Sequence, residues 1–214
     1  MKSRNPGGRL IRLPPTAPGM RIGLYGGSFD PPHPGHRHVA LLGLRRLHLD
    51  RVWWIVGPGN PLKDRTRLPS AEARLGATRQ IARHPRMVVT GFEAELGARY
   101  TVESVRFLVR RCPGVHFVYI LGADSFANFH RWRAWREIAS LVPIAVVDRP
   151  GWTLKAPASP SAHMLAPFRL SETSASGLAD RTAPAWTFLH GPRSSLSSTA
   201  LRTQARASRP WADC

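Results

Sequence analysis

The chain predicts an α/β fold, a single domain with a mostly parallel sheet and helices on both faces. Three observations carry this. Short apolar runs recur with one helix-like segment between consecutive runs, the mark of repeated βαβ units. The runs are continuously apolar rather than alternating, as strands buried on both faces must be. The 214 residues, 43% of them hydrophobic, suffice for one such core and barely for two small ones.

Each element has its own reason. Residues 1–19 carry Lys2, Arg4, Arg9 and Arg12 and no acid, while Pro6, Pro14, Pro15 and Pro18 break any amphipathic targeting helix, so a disordered basic tail is expected. Met20–Tyr25 is a buried strand stopped by Gly26-Gly27. His36–His48 has apolar Val39, Leu42 and Leu47 with basic residues between them, a helix pattern. Val52–Val56 is the next strand, closed by Gly57-Pro58-Gly59. Ser70 caps a helix reaching about Arg83, with Glu72 in its first turn to suit the dipole. Met87–Thr90 is a strand; Thr101 caps the helix Val102–Arg111, which Cys112-Pro113-Gly114 stops. His116–Leu121 is a strand, Trp132–Ser140 a helix and Pro143–Val147 a strand. Lys155–Ala185, rich in Ala, Ser and Pro, has no clear period and reads as a long loop or partly ordered excursion. Trp186–His190 restores a strand and Ser198–Arg206 a short helix, leaving 207–214 as a C-terminal tail. The sum is one Rossmann-like domain over 20–206.

Composition excludes several classes. No apolar run approaches the ~18 residues of a membrane-spanning helix. Only Cys112 and Cys214 are present, so neither a disulfide framework nor a cysteine zinc site can form, and a cytoplasmic setting is expected. The net charge of +18 calls for anionic partners. Yet all but three of the 31 basic residues are Arg, set among many Ala and Pro, and a genome-wide composition bias accounts for that equally well.

The strongest chemical signal follows the first strand: Gly26-Gly27-Ser28-Phe29-Asp30-Pro31-Pro32-His33-Pro34-Gly35-His36. Open parallel sheets bind ligands where strand C-termini meet helix N-termini, which is where this segment falls. Glycines without Cβ let a phosphate or nucleobase approach the backbone. The helix start near Gly35 offers unpaired N–H groups to an anion, and His33 and His36, three apart, can turn toward the same phosphate. Two histidines at this spacing could also bind zinc, but no third ligand of the HExxH kind accompanies them, and no metal site is assigned.

GGSFDPPHPGH resembles the signature of the HIGH-type nucleotidyltransferase superfamily, whose T/HxGH motif binds a nucleotide triphosphate. Ser197-Ser198-Thr199-Ala200-Leu201-Arg202 is similar to the same superfamily's SSTxxR. Physically, Ser198 and Thr199 can cap a phosphate-facing helix and Arg202 can add a bidentate clamp. Within the superfamily, Met20–Arg202 resembles the bacterial nicotinate-nucleotide adenylyltransferases. The supporting pieces are Pro58-Gly59-Asn60-Pro61-Leu62-Lys63, Tyr100-Thr101, Leu121-Gly122-Ala123-Asp124-Ser125, Phe129-His130-Arg131-Trp132 and Asp148-Arg149-Pro150-Gly151.

The resemblance implies that ATP and nicotinate mononucleotide are the substrates. His33 and His36 would be catalytic. Gly26, Gly27, Ser28, Phe29, Gly122, Asp124, Ser197, Ser198, Thr199 and Arg202 would hold ATP. Trp132 would stack on the pyridine ring near Thr101, with backbone N–H groups around both taking the ring carboxylate, and Lys63 and Arg149 would contact anions. Mg²⁺ is expected to come with ATP, held largely by the phosphates. No stable nucleic-acid partner is expected.

Blander readings stand beside these. Trp132 with Trp135 is also a core-facing helix pair, Asp124 a turn cap, and Lys63 and Arg149 two solvated charges. An acceptor such as phosphopantetheine or nicotinamide mononucleotide would suit the same fold. The further alternative is a non-catalytic nucleic-acid-binding module, motivated by the charge, Trp53 and Trp54, but no RRM, KH or zinc-finger signature accompanies them. Only twelve residues follow Arg202, including Pro210, which is short for the family and leaves a homo-oligomer contact there open.

Overall fold

The structure, a computed structural model, describes residues 3–4, 10–58 and 68–191. Lys63, Ser197, Ser198, Thr199 and Arg202 lie outside the described residues, as do the helix expected over 198–206 and the tail 207–214. Two short strands, β1 (Ser3–Arg4) and β2 (Leu10–Ile11), pair antiparallel. The main sheet comprises β3 (Arg21–Gly27), β4 (Arg51–Val56), β5 (Met87–Thr90), β6 (His116–Gly122), β7 (Ile144–Val147), β8 (Arg169–Leu170) and β9 (Trp186–Leu189). Its order is β5-β4-β3-β6-β7-β9-β8, and every pairing is parallel.

Helices cover both faces. α1 (Pro34–Arg46) and α2 (Ala71–Ile81) pack on one, while α3 (Phe92–Leu96), α4 (Thr101–Arg111), α5 (Ala123–Phe126), α6 (Trp135–Leu141) and α7 (Pro160–Met164) meet the core of the other. The strands show why their sequences do not alternate. In β4, Val52, Trp54 and Val56 enter one core and Trp53 and Ile55 the opposite one. Both faces are dry, so every position is apolar. α4 buries Val102, Val105 and Leu108, spaced to share one face.

Several boundaries shift from the sequence expectation. α1 starts two residues earlier, at Pro34, because proline suits the first helical turn and His33 takes the cap. Thr101 is the first residue of α4 rather than its cap; Tyr100 occupies the cap position, its N–H bonded to Glu103 at 3.3 Å. Trp132 precedes α6 instead of opening it, since residues Phe129–Arg131 form a separate 3-10 turn and Ala134 breaks the path with φ 51°.

Two segments are more ordered than their composition suggests. Within the expected tail, Ile11 is 1% exposed and Leu13 packs on the same core, while the Gly19 N–H donates to the Gly114 carbonyl at 2.7 Å. An extended strip needs only alternate apolar side chains to dock, and the prolines do not prevent that. Lys155–Ala185 is an ordered excursion containing α7, β8 and 3-10 turns at Ala166–Phe168 and Glu172–Asp180. It buries small side chains such as Ala156, Ala162, Ala175 and Ala179, which leave no helical stripe in the sequence.

Candidate active site

The chain runs outward from β3 to β4 and β5, then returns to place β6 on the other side of β3. The connecting helices of the two halves lie on opposite faces, so a crevice opens at the C-terminal ends of β3 and β6. A cleft of about 630 Å³ occupies this place. It brings together Gly26, Gly27, Ser28, Phe29, His36, Thr101, Gly122, Asp124, Trp132 and Arg149, all expected from sequence.

The β3 end is tightly built. A Cβ on Gly26 would stand 2.6 Å from the Tyr119 hydroxyl, and one on Gly27 would stand 3.2 Å from the Phe29 ring. Phe29 itself has φ 46°, a left-handed conformation that costs an L residue about 1–2 kcal/mol. Burial against Tyr25, Trp54 and the edge of His36 offsets that cost.

His33 and His36 sit at the N-terminus of α1, where Pro34 has no N–H and the His36 N–H donates to the His33 carbonyl at 2.9 Å. His33 is fully buried, and neither ring nitrogen has a hydrogen-bond partner among the described residues. Burial, reinforced by Arg149, lowers its pKa to about 4. Burial pushes His36 lower still, with His33 and Arg149 adding to the effect. Both rings are therefore neutral at pH 7. Nδ1 of His36 accepts the His33 backbone N–H at 3.2 Å, which places the neutral ring's proton on Nε2. A neutral imidazole in that tautomer donates to an anion without first taking up a proton.

Across the crevice, Gly122 ends β6 where any side chain would collide: its Cβ would lie 2.6 Å from Asp124 Oδ1 and 3.0 Å from Arg149 Cδ. Asp124 Oδ1 is buried with no hydrogen-bond partner among the described residues, while Oδ2 pairs with Arg149 at 3.7 Å. Arg149 thus joins the acid after β6 to the histidines whose charging it opposes.

The rest of the lining is aromatic and cationic. Trp132 packs edge-on against Tyr119 and Phe129 and keeps part of its surface exposed. Its backbone N–H donates to the Phe129 carbonyl at 2.9 Å. Thr101 opens α4 and bonds the buried Tyr119 hydroxyl, whose pKa burial raises.

Several residues in the cleft lining, and Arg74 behind it, were not assigned a role from the sequence. Glu93 has its carboxyl pKa raised by burial, against the stabilising bond from Ser104 Oγ at 2.7 Å. Arg99, Arg131 and Arg133 also line the cleft. Arg74, 4% exposed on α2, donates to the Ser28 carbonyl at 2.8 Å and to the Gly57 carbonyl at 2.7 Å. It ties the loop after β3 to the loop after β4. No local pattern marks Arg74; the adjacency of Arg131 and Arg133 to Trp132 was the available signal for those two.

The cytidylyltransferase-like family model matches residues 24–204. A protein of Methylorubrum extorquens strain PA1 named "Probable nicotinate-nucleotide adenylyltransferase" is 60% identical over 185 residues, covering 86% of this chain and 100% of that one. A protein of the same name from Rhizobium meliloti is 54% identical, covering 86% and 98%. In fold, the chain is similar to the Plasmodium falciparum nicotinic acid mononucleotide adenylyltransferase solved with NaAD, at a TM-score of 0.64 and 16% identity over 86% of this chain and 83% of that one. At that identity the likeness speaks for the fold alone. The relatives' identity holds over nearly their whole length, and the chain belongs to the nicotinate-nucleotide adenylyltransferase family of cytidylyltransferase-like proteins.

Proposed function

We propose that the protein transfers the adenylyl group of ATP to nicotinate mononucleotide, giving nicotinate adenine dinucleotide and pyrophosphate, a step of NAD biosynthesis. The observation that carries this reading is the cleft itself. Its lining joins a neutral, donor-ready His36 from the start of α1 with Trp132 and Thr101.

The acceptor phosphate oxygen attacks the α-phosphorus of ATP, the bond from that phosphorus to the bridging oxygen breaks, and pyrophosphate departs. A phosphate oxygen is ionised at neutral pH, so no general base is required and no covalent enzyme intermediate forms. Acceleration then comes from holding two anions in line and from neutralising charge that builds on the phosphates. His36 Nε2–H is assigned to that charge, with His33 beneath it fixing its orientation. Gly26, Gly27, Ser28 and Phe29 admit the nucleotide to the backbone, and Gly122 and Asp124 flank it. Ser197, Ser198, Thr199 and Arg202 are assigned to the same triphosphate. Trp132 and Thr101 are assigned to the pyridine nucleotide, with Lys63 and Arg149 as anion contacts.

Mg²⁺ would accompany ATP. Among the described residues no three His, Cys, Asp or Glu side chains converge on one point, so the donor set suits an ion carried by phosphate oxygens and water, with Asp124 Oδ1 the buried carboxylate oxygen lacking a partner. Its chemistry would be to screen phosphate charge. The cytoplasm is the compartment we assign, on the cysteine usage; no helix among the described residues is long and apolar enough to cross a membrane.

The test is pyrophosphate release from Mg-ATP with nicotinate mononucleotide, compared with its amide. Release with the acid supports the reading, and equal release with both makes the enzyme one of dual specificity. Release with neither refutes it and turns attention to phosphopantetheine as acceptor or to a nucleic-acid titration.

A further inference from the structure

Tyr25 stands near the C-terminal end of β3, one residue before Gly26, and lines the cleft while only 5% exposed. Its ring is fixed on three sides. Trp54 and Phe29 meet it edge-on, with ring centres at 5.3 and 5.6 Å, and the His36 ring stands at 6.3 Å. A phenylalanine would make every one of these contacts. The hydroxyl needs another reason, because a buried O–H without an acceptor costs free energy and buried tyrosines usually satisfy theirs.

No hydrogen bond among the described residues holds this hydroxyl, and each neighbouring group is accounted for. Arg149 and Asp124 are the charged groups that act on it, with opposite sign. A guanidinium offers no acceptor. Asp124 Oδ1 is buried without a hydrogen-bond partner, so the phenol does not donate there. The ring nitrogens of His33 have no partner either. On His36, Nδ1 already accepts the His33 backbone N–H, and Nε2 carries the proton. The second phenol of the cleft, Tyr119, is bonded to Thr101. Burial raises the Tyr25 pKa against the pull of Arg149, so the O–H keeps its proton at neutral pH. Tyr25 is thus a rigid, permanently protonated donor for which the described residues supply no acceptor.

Its position indicates what the acceptor is. The neighbouring Gly26 and Gly27 open the backbone to a ligand, and the His36 ring beside it is assigned to phosphate charge. An ionised phosphate oxygen is the strongest acceptor such a donor can meet. We propose that the Tyr25 hydroxyl donates a hydrogen bond to a phosphate oxygen of bound ATP, as a second neutral donor beside His36. The proposal rests on the reading that ATP binds at the β3 turn.

The experiment compares wild type with Y25F, which keeps the ring packing and removes only the hydroxyl. Calorimetry measures the affinity for Mg-ATP and for nicotinate mononucleotide, and the melting temperature is taken without ligand. Y25F is expected to bind ATP about tenfold more weakly, the loss of one hydrogen bond to a charged acceptor, with nicotinate mononucleotide unchanged. Its melting temperature should equal or exceed that of the wild type, since an unsatisfied hydroxyl has been removed. A hydroxyl that served the fold would instead lower the melting temperature and weaken both nucleotides, which would overturn the proposal. Unchanged ATP affinity would overturn it as well. A wild type that binds ATP yet releases no pyrophosphate with nicotinate mononucleotide would refute the acceptor reading alone, and the Y25F comparison would still decide the role of Tyr25. A wild type that does not bind ATP would bring down both.

Discussion

His33 donates its backbone N–H to Nδ1 of His36 at 3.2 Å while their rings lie 3.8 Å apart, so the first histidine of the turn sets the tautomer of the second. Packing on Phe29 holds the pair from the other side. The ring that reaches the cleft is thus oriented before substrate arrives, which is what electrostatic stabilisation of a transition state requires. His36→Ala should lower kcat by about two decades or more with the melting temperature little changed. A purified variant retaining more than about a third of wild-type turnover would remove His36 from the chemistry.

Stability should depend on the same pair through pH. The folded pKa of His33 is near 4, below the ordinary value of 6.5, so the unfolded chain binds protons over an interval where the folded one does not. The stability that the neutral ring contributes is therefore complete above about pH 6.5 and falls as pH drops toward 4. His33→Asn should flatten this part of the curve. Melting temperatures of wild type and variant between pH 7 and 4, falling in parallel, would contradict the assignment.

Arg74 should prove structural in a way its charge disguises. Replacing it with Met leaves the Ser28 and Gly57 carbonyls without their buried donor, at a cost of about 2–4 kcal/mol. Urea unfolding measures this directly. A loss below about 0.5 kcal/mol would mean that water replaces the guanidinium at no penalty.

Gly122→Ala tests the crowding after β6. The new methyl would meet Asp124 Oδ1 at 2.6 Å and Arg149 Cδ at 3.0 Å, so both side chains must move. The KM for ATP is expected to rise by about tenfold or more, the change of a contact worth 1.4 kcal/mol. Steady-state kinetics with ATP unchanged would detach this strand end from the nucleotide.

Trp132→Ala separates a substrate platform from a core residue. The KM for the pyridine nucleotide should rise while that for ATP stays nearly constant. An equal rise in both, with a lowered melting temperature, would return Trp132 to the Phe129 and Tyr119 packing it also makes.

What could be read in the sequence was whatever a short window encodes. Burial on two faces writes itself into runs such as Val52–Val56, and a strand, glycine turn and helix start write themselves into Gly26–His36. The matching positions of Met87–Thr90 in sequence and structure, and the bond from Ala73 N–H to Ser70 Oγ at 3.1 Å, belong to this local kind. Windows mislead where the determinant is elsewhere. Trp132 fits a helical stripe with Trp135, but the strained turn at Ala134 takes it out of the helix and faces it to the cleft. The burial of Ile11 beneath an apparently polar tail depends on a core assembled from residues far along the chain.

The sequence by itself determined the parallel α/β class and the place of the phosphate-ready turn, because strand burial, helix capping and glycine turns are local properties of the chain, and its motifs carried the resemblance to the family. Only the tertiary structure decided that Arg74 joins carbonyls 46 and 17 residues away, that the His33 ring is sealed from water, and that Arg133 rests on Tyr100. These contacts depend on which strand lies beside which and on how tightly the helices close over them. No periodicity along the chain records that, since it is settled by the packing of distant segments into one volume.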